Sequence, residues 1–96
     1  MPSDADAPAA APPGPPGPER VVLYSRAGCH LCDVARAGVE RVCRETGTAF
    51  REVDVDADPE LVARYGDLVP VVTVDGRHHD HWRIAEPALR EALVRG

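Results

Sequence analysis

Apolar residues in this chain gather in short clusters after residue 20, and their spacing changes from one cluster to the next. Val21-Val22-Leu23-Tyr24 are apolar at successive positions, the pattern of a strand buried on both faces. From His30 the apolar positions become Leu31, Val34, Ala35, Gly38, Val39, Val42 and Cys43, a three-four spacing that predicts one face of a helix. Arg36, Glu40, Arg41, Arg44 and Glu45 fill the other face, and Gly47 is a natural stop in the left-handed conformation. Ala49 to Val55 reads as a second strand with Phe50, Val53 and Val55 as its apolar content. Asp58 can cap a following helix, Pro59 suits its first position, and the helix should end at Gly66 after Tyr65. Val69-Pro70 opens a third strand, Val71 to Val74. Asp75-Gly76 is a two-residue hairpin signal, joining it to a fourth strand from Arg77 to about Trp82. A closing helix starts with Pro87 at its first position and turns Leu89, Ala92 and Leu93 inward. The order is β-α-β-α-β-β-α: the first two strands are parallel through a right-handed crossover and the hairpin is antiparallel.

Composition adds boundaries. The chain has 96 residues, enough for one small domain. Residues 1–18 are nearly all Pro, Ala and Gly with two aspartates and cannot fill a core, so a disordered, partly extended tail is expected there, with the folded domain over residues 19–96. The formal net charge of −5 argues against nucleic acid as a partner. The acidic start and the lack of any long apolar run argue against a secretory signal or a membrane span, so a cytoplasmic, thiol-reducing compartment is expected. All basic residues are arginines.

The three cysteines are too few for a disulfide scaffold, and in a reducing compartment a Cys-x-x-Cys pair is more often catalytic or metal-binding than structural. Cys29-His30-Leu31-Cys32 stands between the first strand and the first helix. The first N–H groups of a helix lack partners inside it and carry the positive end of its dipole. A thiol at that cap ionises more easily, because its thiolate accepts those N–H groups. Cys29 takes the cap position, and Cys32 lies one turn behind, within reach of a short disulfide loop. A protonated His30 would add positive charge beside Cys29, whereas Asp33 would oppose the thiolate if it pointed at the pair.

From Arg20 to about Arg95 the chain resembles a glutaredoxin, within the thioredoxin fold. Three pieces carry the resemblance: Tyr24 through Cys32, Val53 through Leu61, and Val69-Pro70 before the Asp75-Gly76 turn. It implies an α/β fold of the thioredoxin-like, glutaredoxin type, a three-layer sandwich on a four-stranded mixed sheet. It also implies a thiol–disulfide oxidoreductase with Cys29 as nucleophile, Cys32 as resolving thiol and a redox-active Cys29–Cys32 disulfide. Pro70 would be cis, presenting the backbone of Val69 to an extended substrate. Arg26, three residues before Cys29 where the family often has a lysine, would hold a substrate carboxylate and favour the thiolate. No tightly bound cofactor is implied. The implied partners are a disulfide-containing protein or small molecule and a thiol reductant, glutathione or another low-molecular-weight thiol; the chain would act as a monomer.

The chain also departs from the family pattern. His78-His79-Asp80-His81-Trp82-Arg83-Ile84 stands where glutathione-binding members carry a glycine pair and acidic residues, and His-Leu replaces the Pro-Tyr common between the cysteines. The alternative reading is a metal or iron–sulfur binding, redox-sensing module without disulfide turnover. Against it, the single active-site cysteine followed by Gly-Phe-Ser, typical of cluster-binding members, is not present. Cys43 lies eleven residues past Cys32, about 16 Å along a helix, and so reads as a core residue. On a strand, His79 and His81 would share one face and His78 the other, the pattern of a solvated edge strand. Tyr65 and Trp82 read as packing residues, with the rim of a substrate groove as the other place for Trp82.

Overall fold

The computed structural model describes residues 19–95; the Pro/Ala/Gly-rich stretch 1–18 and the expectation of disorder for it lie outside them. The elements are β1 (Glu19–Ser25), α1 (His30–Thr46), β2 (Ala49–Asp54), a single 3₁₀ turn (Val55–Ala57), α2 (Pro59–Tyr65), β3 (Val71–Val74), β4 (Arg77–His81) and α3 (Glu86–Arg95). The strands form one sheet in the order β2-β1-β3-β4. β1 and β2 are parallel, and β3 is antiparallel to both β1 and β4. This is the α/β sandwich on a four-stranded mixed sheet that the resemblance implies.

Local chemistry accounts for the boundaries. Gly47 ends α1 at φ 70°. The Asp58 carboxylate accepts the Glu60 N–H at 2.9 Å, and Pro59 opens α2 behind that cap. Asp75 and Gly76 both have positive φ, 53° and 83°, so the tight turn matches the twist of the strands it joins.

One face of the sheet carries the main core. Val21 and Leu23 of β1 and Val72 of β3 pack against Ala35, Val39, Val42 and Cys43 of α1 and Leu89 and Leu93 of α3. The other face is covered by the shorter α2, where Tyr65 stacks on Tyr24 with ring centroids 4.6 Å apart. Arginine–carboxylate pairs tie neighbours within each layer: Arg41 with Glu86 and Arg90 with Glu45 join α1 to α3, and Arg20 with Asp75 joins β1 to the turn after β3.

Several expectations are revised. β1 is fully buried only at Val21, Leu23 and Ser25, while Val22 and Tyr24 are half-buried, because the seven residues of α2 cover less of the sheet than α1 and α3 do. Leu31 and Val34 are 36% and 56% exposed. Cys32, rather than these two, extends the buried stripe of Ala35, Val39 and Val42 into the first turn. β2 stops at Asp54, whose side chain accepts the Asp56 N–H and turns Val55 into the 3₁₀ turn. β4 ends at His81, since Trp82 takes a left-handed φ of 63°. α3 starts one residue before Pro87, and Ala92 is half-buried.

Candidate functional site

The register places every feature of the site at one end of the sheet. Ser25 pairs with Asp54, Tyr24 with Val71, and Val71 with His81. The end of β1, the start of β3 and the end of β4 therefore lie side by side. The Cys29 loop, the Val69-Pro70 peptide and Trp82 all leave from that edge. The Val69-Pro70 bond is cis. Pro70 is fully buried, Val69 is half-buried, and the Pro70 carbonyl accepts the Trp82 N–H at 2.9 Å.

Between β1 and α1 the chain makes a tight turn in which Cys29 N–H donates to the Arg26 carbonyl at 3.3 Å. Gly28 there has φ 77°, a left-handed conformation that costs a residue with a Cβ about 1–2 kcal/mol. The turn delivers Cys29 to the cap of α1 in an extended conformation. Its Sγ accepts the Cys32 N–H at 3.2 Å, so the sulfur itself satisfies one of the orphan donors of the helix. Cys29 is half-exposed and Cys32 wholly buried. Burial, and then the hydrogen bond with Cys29, push the Cys32 thiol up to about 12; a hydrogen bond with the Arg26 backbone and the Arg36 charge pull the other way. The third thiol, Cys43, is a core residue as expected, and burial raises its pKa too.

A family model described as Glutaredoxin-like domain (DUF836) matches residues 20–94. The chain belongs to that family. It is 36% identical over 81 residues to an uncharacterised protein of Mycobacterium tuberculosis, covering 79% of this chain and 84% of that protein. The solved structure of protein XcR50 from X. campestris is 35% identical with a TM-score of 0.66, covering 79% of this chain and 97% of that one. The thioredoxin of Fasciola hepatica is 30% identical with a TM-score of 0.53, covering 78% of this chain and 77% of that one.

Within this glutaredoxin-like frame the residues singled out in the sequence separate. Cys29 and Cys32 come together as expected. Arg26 is drawn elsewhere: its guanidinium binds the Asp56 carboxylate at 2.9–3.2 Å and the Gly66 carbonyl at 3.2 Å. It thus braces the cysteine loop against the 3₁₀ turn and the end of α2, and Asp56 in turn is held below the usual carboxylate range by the hydrogen bond from Arg26. His30 is exposed on the first turn of α1. Asp33 turns to Arg36 at 2.9 Å.

Sequence reading missed Arg36 as part of the site. It stands one turn beyond Cys32, on a neighbouring line of the helix surface. Its guanidinium grips Glu52 of β2 at 2.6 and 2.7 Å, and Glu52 accepts the hydroxyl of buried Ser25 at 2.6 Å. The Arg36 hydrogen bond lowers the Glu52 pKa. The spacing of Arg36 from Cys32 was visible in the chain, but its pairing with Glu52 on another element was not. Ser25, Arg26, Ala27, Arg36, Glu52 and Asp54 line an open depression beside the cysteine loop.

Proposed function

We propose that this chain is a thiol–disulfide oxidoreductase that reduces disulfides of proteins or small molecules with the Cys29/Cys32 pair. The observation that carries this reading is the placement of the Cys29 sulfur as the cap of α1, 3.2 Å from the Cys32 N–H, with the Cys32 thiol buried behind it. The half-exposed sulfur meets the substrate, and the Cys32 N–H points at it.

In the first step the Cys29 thiolate attacks one sulfur of the substrate disulfide. A Cys29–substrate bond forms, the substrate S–S bond breaks, and the other sulfur leaves as a thiolate that takes a proton from water. Cys32 then loses its proton and attacks Cys29 Sγ. The Cys29–Cys32 disulfide forms and the second substrate thiolate leaves, so two electrons have passed to the substrate. Both the hydrogen bond and the charge interaction with Cys29 raise the Cys32 pKa. They vanish when Cys29 enters the mixed disulfide, so the resolving thiol becomes easier to ionise at the step that needs it. Two equivalents of a thiol reductant, glutathione or another low-molecular-weight thiol, restore the pair by the reverse exchange. Val69, beside the cis bond at the same sheet end, would take an extended substrate as an added strand. In this scheme His30 and Arg26 shape the mouth rather than react.

The test is a trapping pair. Cys32→Ser should accumulate a mixed disulfide with an oxidised substrate, visible by mass before and after reduction, whereas Cys29→Ser should accumulate none and lose turnover. Undiminished disulfide reduction by Cys29→Ser would remove the assignment.

A further inference from the structure

We propose that His78 and His81 on the edge strand form a two-imidazole site for a late first-row divalent cation. The sequence pattern set His79 and His81 on one face and His78 on the other. The structure reverses this, because β4 carries a bulge opposite the Val72/Thr73 step. Val72 faces Asp80 and Thr73 faces His78, so His79 is the extra residue and the alternation breaks there. As a result the His78 and His81 rings meet on one side, with Nε2 of His78 and Nδ1 of His81 3.0 Å apart.

That separation suits chelation. With metal–nitrogen bonds of about 2.0 Å, two ligands on a tetrahedral ion lie about 3.3 Å apart and two adjacent ligands on a square-planar ion about 2.8 Å apart. The observed 3.0 Å falls between the two. Without metal, one of the two nitrogens donates a proton to the other. A cation binds both facing lone pairs once the ring that donated this proton carries it on its far nitrogen instead, so that Nδ1 of His78 and Nε2 of His81 hold the two protons. Imidazole pairs suit copper, nickel and zinc, with copper(II) the tightest of the series.

The surroundings hold the second ring in place. His81 packs edge-on against Trp82 with centroids 4.8 Å apart, and the Trp82 indole N–H donates to the Asp67 carbonyl at 3.1 Å. The Asp80 carboxylate accepts the His81 and Ala85 N–H groups at 2.9 and 3.0 Å, fixing the backbone that carries the ring. Among the described residues no group of three or more His, Cys, Asp or Glu gathers in a metal-binding cluster. The site therefore offers two protein ligands, and water completes the coordination. His81 stands two strands from β1 at the sheet end that carries the cysteines, about 10 Å across the sheet.

The experiment uses the full chain with its reactive thiol alkylated by N-ethylmaleimide, so that sulfur does not compete. Copper(II) alone is titrated and followed by electron paramagnetic resonance and by imidazole nitrogen shifts in the zinc(II)-loaded form. The expected result is one ion per chain with hyperfine structure from two nitrogens, and shifts confined to His78 and His81. His78→Ala and His81→Ala should each weaken binding by more than about tenfold, the smallest loss expected even of an outer-shell substitution, and remove one nitrogen coupling. His79→Ala should leave both unchanged. Binding of equal strength in the His78→Ala/His81→Ala double variant, or shifts in the unmutated protein that avoid these two rings, would overturn the proposal. The nitrogen shifts need no variant to fold.

Discussion

The Cys32 thiol should resist alkylation in the folded protein while Cys29 accepts it. Burial and the Cys29 hydrogen bond place the Cys32 pKa at about 12. At pH 8 that leaves a thiolate fraction on the order of 10⁻⁴, against about a tenth for an unperturbed cysteine with a pKa of 9.0. The ratio is about 10³ in reactive species, before any added barrier from access to a wholly buried sulfur. Timed exposure to iodoacetamide at pH 8, followed by intact mass and peptide mapping, should therefore show a single adduct on Cys29. Cys32 and Cys43 should label only after denaturation. In Cys29→Ala the interaction with Cys29 that raises the Cys32 pKa is gone, so Cys32 should label faster than in the parent but still slower than in the unfolded chain. The same shift has a stability consequence. The folded state keeps the Cys32 proton to higher pH than the unfolded state, so its contribution is complete below the unfolded pKa near 9 and is lost as pH rises from there toward 12. Labelling of Cys32 in the folded parent within about tenfold of the Cys29 rate would refute the reasoning, since a desolvated thiol cannot be that reactive.

Three further outcomes are expected. Leu23→Ala removes a fully buried side chain between α1, α3 and the sheet and should cost about 2–5 kcal/mol in urea unfolding. Asp58→Ala deletes the cap of α2 and should cost about 1 kcal/mol, read as a lower Tm with the cysteine site intact. Glu52, Asp56, Asp75 and Glu86 are each held below the usual carboxylate range, chiefly by hydrogen bonds from Arg36, Arg26, Arg20 and Arg41. Their contribution is present above the unfolded carboxylate pKa of about 4 and is lost as pH falls through the lower folded values, so the urea midpoint should drop below about pH 4, and less so in high salt.

What the sequence determined by itself is the set of things that depend on neighbours along the chain. The three-four spacing from His30, the Asp58-Pro59 start, the Asp75-Gly76 turn and the Cys29 cap are local, and each stands where the pattern put it. A helix cap or a two-residue turn is satisfied by donors, acceptors and dihedral preferences only a few residues away. Tertiary structure decided whatever needed a partner from another element. Arg26 turned to Asp56 and Arg36 to Glu52, because long guanidinium side chains go to the carboxylates that the fold brings near. Leu31 and Val34 lost their place in the core to Cys32, since the line of contact with the sheet, not apolarity alone, selects the buried face. The histidines met differently from their alternation because a bulge, set by pairing with β3, added one residue to the count. An alternating pattern read along one strand cannot register a residue that its neighbour leaves unpaired.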